Sequence, residues 1–226
     1  MIKYIRLKSQ KNTKTKQIIL RERSRKYSKD LKETYIRKHK NIFIFGLEGS
    51  GKSREIGKIF NAHNEIYPKK DSIIICATDS LSDWLIQGNT HKEKFEADSN
   101  NIDYIEDINK QYVKIKILLY KAKTSVIYID DLDLLSGKKR EIVKSLVKSS
   151  NLIIATARNE RSINKTLLSI INKKGGYQEI GLNTDASFDA TNIIFISAIF
   201  AMVATGMHEI AMLIMAGKYM MKPKGK

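Results

Sequence analysis

From residue 41 to residue 182, short apolar runs alternate with segments whose apolar residues recur at helical spacing. The strand-like runs are 41–45, 73–77, 126–129, 152–156 and 177–180. The helix-like segments are 53–60, 106–121, 139–148 and 162–172. Strands that alternate with helices form parallel sheets, because each parallel connection needs a crossover. The pattern therefore predicts an α/β fold with a parallel sheet and helices on both faces.

Residues 1–40 have a weaker pattern. Ile2, Tyr4 and Leu7 indicate a short strand, which a basic linker follows. A helix is then predicted, with an apolar face made by Ile19, Tyr27, Leu31 and Tyr35. We expect this helix to dock on its own domain; the alternative is that its tyrosines stack on nucleic-acid bases.

A long apolar segment lies near the C-terminus, at residues 193–217, and a His208-Glu209 pair interrupts it. As one helix it would be about 37 Å long, which exceeds the hydrocarbon core of a bilayer. The basic tail after it favours the cytoplasmic side of a membrane. The segment therefore predicts membrane contact. It could span the bilayer, dip into it, or instead be a helix buried in a soluble oligomer.

Charge is unevenly distributed along the 226 residues. The whole chain has 41 basic and 24 acidic residues, and residues 1–40 alone hold 15 basic and 3 acidic ones. We therefore predict three parts: a basic N-terminal arm (1–40), an α/β domain (41–182) and an apolar C-terminal segment (183–226). The arm suits a polyanion, and we expect DNA, with anionic lipid as the alternative. The single cysteine, Cys76, and the lack of a secretory signal indicate a cytoplasmic domain.

The strongest local pattern is a glycine-rich segment between a predicted strand and a predicted helix. It matches the phosphate-binding pattern G-x-x-x-x-G-K-[ST] at every fixed position and reads Gly46-Leu47-Glu48-Gly49-Ser50-Gly51-Lys52-Ser53. Glycines let backbone N–H groups point at phosphate oxygens, and the helix start adds a positive dipole end. We expect this segment and the adjacent Arg54 to hold the phosphates of ATP. Lys52 would reach the β- and γ-phosphates, and Ser53 would bind Mg²⁺.

Two further predicted strands end in polar residues. The run 125–131 closes with Asp130 and Asp131, and the run 151–158 closes with Thr156 and Arg158. An Asp pair by itself is typical of a solvated strand-end turn, and an arginine is a common surface residue in so basic a chain. Because the glycine loop lies upstream of both runs, phosphate chemistry is the better interpretation of the Asp pair.

Together the three elements resemble the Walker A, Walker B and sensor segments of the AAA+/ASCE branch of P-loop ATPases, over roughly residues 41–180. The resemblance implies that Asp130 holds Mg²⁺ and that Asp131 polarises the attacking water, where many families have Glu. It implies that Thr156 lies between the Walker elements and contacts the γ-phosphate or the water. The candidates for a phosphate-sensing or trans-acting arginine are Arg158 and Arg161.

The string at residues 129–138 is similar to the Walker B region of replication-initiator, helicase-loader and STAND-type ATPases. The layout of a basic P-loop domain before an apolar segment is similar to that of zonula-occludens-toxin-like phage assembly ATPases. The resemblance implies a homo-oligomeric, Mg²⁺-dependent ATPase that drives a DNA-handling step at a membrane, as in phage assembly, DNA export or packaging. Two alternatives stay open. One is a soluble helicase-loader- or initiator-like AAA+ ATPase, and the other is a nucleotide-dependent membrane assembly factor.

Overall fold

Strands and helices alternate along most of the chain in the computed structural model. The structure describes residues 2–9, 15–23, 30–98, 107, 109–182, 199–200, 202–207 and 209. In these ranges the strands are β1 Ile2–Ser9, β2 Lys16–Arg23, β3 Asp30–Tyr35, β4 Asn41–Phe45, β5 Asp71–Cys76, β6 Ser125–Asp130, β7 Leu152–Ala157 and β8 Tyr177–Gly181. The α-helices are α1 Lys52–Asn61, α2 His63–Ile66, α3 Leu81–Ile86, α4 Lys92–Ala97, α5 Gln111–Ala122, α6 Gly137–Ser149 and α7 Lys165–Lys173.

The five strands from β4 onward form one parallel sheet in the order β5-β6-β7-β4-β8. Strand β4, which leads into the glycine loop, therefore pairs with β7 and β8. Strand β6, which ends at Asp130, pairs with the other side of β7. The predicted parallel sheet is confirmed, and β7 separates the strand before the glycine loop from the strand that ends in the Asp pair.

Apolar cores cover both faces of this sheet. Along β4, Ile42 and Ile44 face one core, which includes residues of α1 and α2. Phe43 and Phe45 face the other core, to which α3, α5, α6 and α7 contribute. Successive residues of a strand point to opposite faces, so a strand that is buried on both sides must be apolar throughout. The predicted placement of helices on both faces is confirmed.

The helix predicted in residues 1–40 is wrong, whereas the strand predicted near Ile2 is confirmed. Strands β1, β2 and β3 form a separate antiparallel sheet in that order, which we call the small sheet. The helix prediction depended on Ile19, Tyr27, Leu31 and Tyr35. Ile19 lies in β2 and both Leu31 and Tyr35 lie in β3, so these positions belong to two strands and not to one helix. In the structure, Ile19 and Tyr35 are direct cross-strand partners.

One face of the small sheet packs against helix α1 of the α/β domain. Ile5, Ile18 and Leu20 are buried in the same core as Ile56 and Ile59 of α1. Burying apolar side chains of this size contributes about 1.5–3 kcal/mol each. The small sheet is therefore attached mainly by its apolar face.

Two polar contacts reinforce this attachment. The backbone N–H of Ile5 donates to the buried carboxylate of Glu55 at 3.0 Å, and Lys58 Nζ donates to the same carboxylate at 2.6 Å. Lys16 of β2 pairs with Glu65 of α2 at 2.8 Å on the surface. The contact through Glu55 joins the small sheet to the helix that follows the glycine loop.

The contact pattern divides the chain into two units, residues 1–185 and 186–226. The predicted apolar helix, 193–217, lies mainly outside the described residues, since only 199–200, 202–207 and 209 of it are described. Within the described part of the chain, no helix has the length and apolar character needed to cross a bilayer. The domain boundaries at residues 40 and 182 stay predictions.

Candidate phosphate-binding site

The glycine loop connects β4 to α1 in a conformation that requires glycine. Gly49 and Gly51 have φ angles of 76° and 86°, in the left-handed region that other residues adopt at a cost. At Gly46, a Cβ atom would lie 2.9 Å from the backbone oxygen of Leu182. The glycines of the pattern are thus explained by backbone geometry and close approach.

Helix α1 begins at Lys52 without a side-chain cap. Gly51 is the N-cap residue, and no side chain accepts a hydrogen bond from the first backbone N–H groups of the helix. Such N–H groups and the positive end of the helix dipole attract anions. Ser50 Oγ, within the same loop, is also buried and lacks a hydrogen-bond partner among the described residues. Donors are therefore available on the inner side of the loop.

Lys52 lies over the loop, with its side chain buried. Its Nζ donates to the backbone oxygen of Leu47 at 3.1 Å. A buried ammonium needs a compensating partner, and one carbonyl satisfies only one of its three donors. Ser53 and Arg54 follow on the first turn of α1, and both are exposed.

A cavity of about 170 Å³ lies beside Lys52 at the carboxyl end of the parallel strands. Its lining residues are Glu48, Lys52, Asp131, Asp133, Leu134 and Arg158. The fold thus brings together four predicted site residues from the glycine loop, the end of β6 and the end of β7. Thr156 lies behind the cavity, fully buried, and Arg161 is exposed in a short 3₁₀ turn at Glu160–Ser162.

Thr156 contacts the side chain of Asp130 and the backbone of Asp131 at the end of β6. Its hydroxyl donates to Asp130 Oδ1 at 2.5 Å and accepts a hydrogen bond from the backbone N–H of Asp131 at 2.8 Å. Thr156 has one hydroxyl hydrogen, and it is donated to Asp130, so in this structure Thr156 orients the strand-end acids. Its predicted role as a sensor of phosphate stays a prediction.

Asp131 has an unusual backbone and a perturbed carboxyl group. Its φ of 53° is the only positive value at a described non-glycine residue. Burial, and then the neighbouring charge of Asp130, raise the pKa of Asp131, and Lys52 acts in the opposite direction. Backbone strain at such a position persists only where the surrounding structure holds it, and here the hydrogen bond from Asp131 N–H to Thr156 does so.

Sequence reasoning missed Asp133. Its side chain is only 1% exposed, and its Oδ2 accepts a hydrogen bond from Arg158 Nε at 2.8 Å. Its other oxygen, Oδ1, is buried without a partner among the described residues. The contact with Asp133 raises the pKa of Arg158, whose charged guanidinium lies at the rim of the cavity. A third carboxylate inside the otherwise apolar string Leu132–Leu135 was the available signal.

No family model matches the chain, and no curated protein matches it. Three solved structures illustrate its similarities. Domain III of the replication initiation protein DnaA of Thermotoga maritima is 19% identical, with 65% of this chain and 56% of that chain covered and a TM-score of 0.38. Aeropyrum pernix ORC1 in complex with DNA is 11% identical, with 70% and 43% covered and a TM-score of 0.42. Pif1 helicase from Candida albicans is 18% identical, with 71% and 40% covered and a TM-score of 0.38.

The matched part spans little more than half of the first of these chains and less than half of the other two. Similarities at this level do not assign an activity, so the class of this protein depends on its own residues. The strand, glycine loop and helix, the parallel strand order and the acids at the end of β6 give the chain the fold of a P-loop NTPase.

Proposed function

We propose that this protein is a Mg²⁺-dependent ATPase that acts on nucleic acid. One observation carries the proposal. The buried Lys52, at the end of the glycine loop between β4 and α1, lines the same cavity as Asp131. Thr156, on the intervening strand β7, makes hydrogen bonds to both Asp130 and Asp131. Phosphoryl transfer needs positioned cations, metal-binding acids and a water-orienting group at one place, and these residues meet that need.

The residues present fit a nucleoside triphosphate and its metal. Ser50 Oγ is a buried polar atom without a protein partner, and the first N–H groups of α1 have no cap. Oxygen ligands suit Mg²⁺, and the chain offers the Ser53 hydroxyl and the Asp130 carboxylate. Bound Mg²⁺ would neutralise charge on the phosphate oxygens. The loop segment 46–54 would hold the phosphates.

The chain's own groups then have separate tasks. Lys52 binds and orients the terminal phosphates, and these contacts replace its hydrogen bond to the Leu47 carbonyl. Asp131 orients the attacking water, and Thr156 keeps both acids in place. Arg158, paired with Asp133 of the same chain, supplies positive charge to the γ-phosphate in cis.

The charge of residues 1–40 supports nucleic acid as the polymer. With 15 basic and 3 acidic residues, this region attracts polyanions. When basic side chains neutralise the phosphates of a nucleic acid, the nucleic acid releases bound counterions, and this release favours binding. DNA is the expected polymer. Membrane contact through residues 193–217, self-association, and the likeness in layout to phage assembly ATPases stay predictions.

Loss of the lysine tests the nucleotide site. A Lys52→Ala protein should bind ATP about 10- to 100-fold more weakly, because charged hydrogen bonds contribute about 1.5–3 kcal/mol. Titration calorimetry or a fluorescent ATP analogue measures this change. Lys69→Ala removes an equal charge from an exposed turn and should bind ATP as the unaltered protein does. Equal ATP affinity in the Lys52→Ala and Lys69→Ala proteins would contradict the proposal.

A further inference from the structure

The small sheet has one face in the core and an opposite face of uneven exposure, on which Arg6, Lys8 and Tyr35 are exposed and Ile19 is buried. Cross-strand partners point to the same side, and the pairs Ile5–Leu20 and Leu7–Ile18 are on the core side. The residues between them lie on the opposite side, which we call the basic face. Its described members are Tyr4, Arg6, Lys8, Gln17, Ile19, Arg21, Arg23, Glu33 and Tyr35.

The basic face concentrates positive charge. Among these described residues there are four cations and one acid, Glu33, which is paired with Arg21, and a second acid, Asp30, is the cross-strand partner of Arg23. Arg6 and Lys8 of β1 are both exposed. Their cross-strand partners are uncharged, since Arg6 pairs with Ile19 and Lys8 pairs with Gln17. Such exposed cations attract a polyanion.

The same face presents aromatic rings. Tyr35 is 52% exposed on the edge strand β3, although large aromatic side chains usually bury most of their surface. On the other edge strand, β1, the centre of the Tyr4 ring lies 5.1 Å from the guanidinium of Arg23, a residue of the central strand β2. An exposed ring beside cations can stack on an unpaired base while the cations contact phosphates.

This combination favours single strands over duplexes. Bases in a duplex are already stacked on each other, so a surface tyrosine reaches their faces only in a single strand. The small sheet is attached to the core of the α/β domain by its other face, through Ile5, Ile18 and Leu20. Because the face lies on the opposite side of the small sheet from α1, it does not overlap the phosphate loop.

We propose that the basic face binds single-stranded nucleic acid, with Tyr35 stacking on a base and Arg6 and Lys8 contacting phosphates. This inference depends on the proposed function for the choice of nucleic acid as polymer, but the binding itself needs no ATP. The test is fluorescence polarisation of a labelled 20-nucleotide oligo(dT) and of a duplex of equal length, with the full chain and no nucleotide present.

Tyr35→Ala should weaken oligo(dT) binding about 10-fold and leave duplex binding unchanged, because only base stacking is removed. Tyr35→Phe keeps the ring and should bind as the unaltered protein does. The Arg6→Ala/Lys8→Ala protein should bind oligo(dT) with a salt dependence whose slope is smaller by about 1.4, since two phosphate contacts are lost. Lys165→Ala, an exposed lysine on α7, is the charge control and should change neither value.

Tighter binding of the duplex, or equal oligo(dT) binding by the Tyr35→Ala and Tyr35→Phe proteins, would overturn the inference. Binding to anionic phospholipid vesicles without binding to oligo(dT) would overturn it too. The Lys52→Ala protein separates this result from the nucleotide site. It should lose ATP affinity and keep oligo(dT) affinity, so a failure of either proposal is seen independently.

Discussion

The phosphate loop and the small sheet contact the same helix, α1, but they depend on very different parts of the chain. The loop is formed by consecutive residues between Phe45 and Lys52, and its shape follows from glycines at fixed places. The small sheet pairs residues that are well separated, such as Ile5 with Leu20, and is held by a core that α1 and α2 complete. A local backbone requirement, such as glycine at a positive φ angle, is therefore easier to identify from sequence than the type of secondary structure behind a periodic pattern.

The two regions also differ in how a substitution should act. In the phosphate site, charged and polar groups lie at the edge of the parallel sheet, so the loss of one of these side chains should alter chemistry and leave the fold intact. In the small sheet, buried apolar side chains and the Glu55 contact supply attachment, so a change there should alter stability. Three experiments test this division, from the largest expected effect to the smallest.

Asp130→Asn should have the largest effect, and only on chemistry. Removing the carboxylate charge while keeping an oxygen for Thr156 should lower the rate of ATP hydrolysis by about 100-fold or more. Phosphate release measures the rate, and urea unfolding should show an unchanged stability within about 0.5 kcal/mol. Asp79→Asn, in the exposed turn after β5, is the matched control and should hydrolyse ATP normally. Normal hydrolysis by the Asp130→Asn protein would remove Asp130 from the site.

Glu55→Ala should lower the stability of the protein, and it tests how the small sheet is attached. The buried N–H of Ile5 would lose its acceptor, which destabilises a protein by about 1–3 kcal/mol. Urea unfolding measures the loss, and hydrogen exchange at Ile5 shows where it arises.

The control for Glu55 is Glu65→Ala, which removes the surface pair with Lys16. Exposed ion pairs contribute about 0–1 kcal/mol, so this substitution should change stability little. If the two glutamate variants unfold at the same urea concentration, the buried contact does not attach the small sheet as the structure indicates.

Two glycine substitutions should change the free energy of unfolding by smaller amounts and in opposite directions. Gly51→Ala places a side chain at a φ of 86° and should lower the free energy of unfolding by about 1–2 kcal/mol. Gly57→Ala lies inside α1, where an added Cβ meets nothing within 4 Å, and should raise it by about 0.8–1 kcal/mol. Urea titration of both proteins checks the signs. A stabilising Gly51→Ala change would mean that the loop conformation is not the one described.

The parallel strands and most helices could be predicted because their apolar runs are long and interrupted by clear turns. The helix predicted in residues 1–40 failed because the spacing of Ile19 and Tyr35 does not reveal that they lie on two strands, and only cross-strand pairing distinguishes this sheet from a helix. Asp133 was missed because its importance comes from Arg158, 25 residues away, at the end of another strand.

The sequence by itself determined the glycine loop, the lysine it holds and the two acids at the end of β6. These features depend on residue type and short-range backbone geometry, which leave a pattern in consecutive positions. Only the tertiary structure decided which groups meet: Thr156 with Asp130, Asp133 with Arg158, and Glu55 with Ile5. These partners are 25 to 50 residues apart, so strand order and packing bring them together, and no local pattern records such contacts.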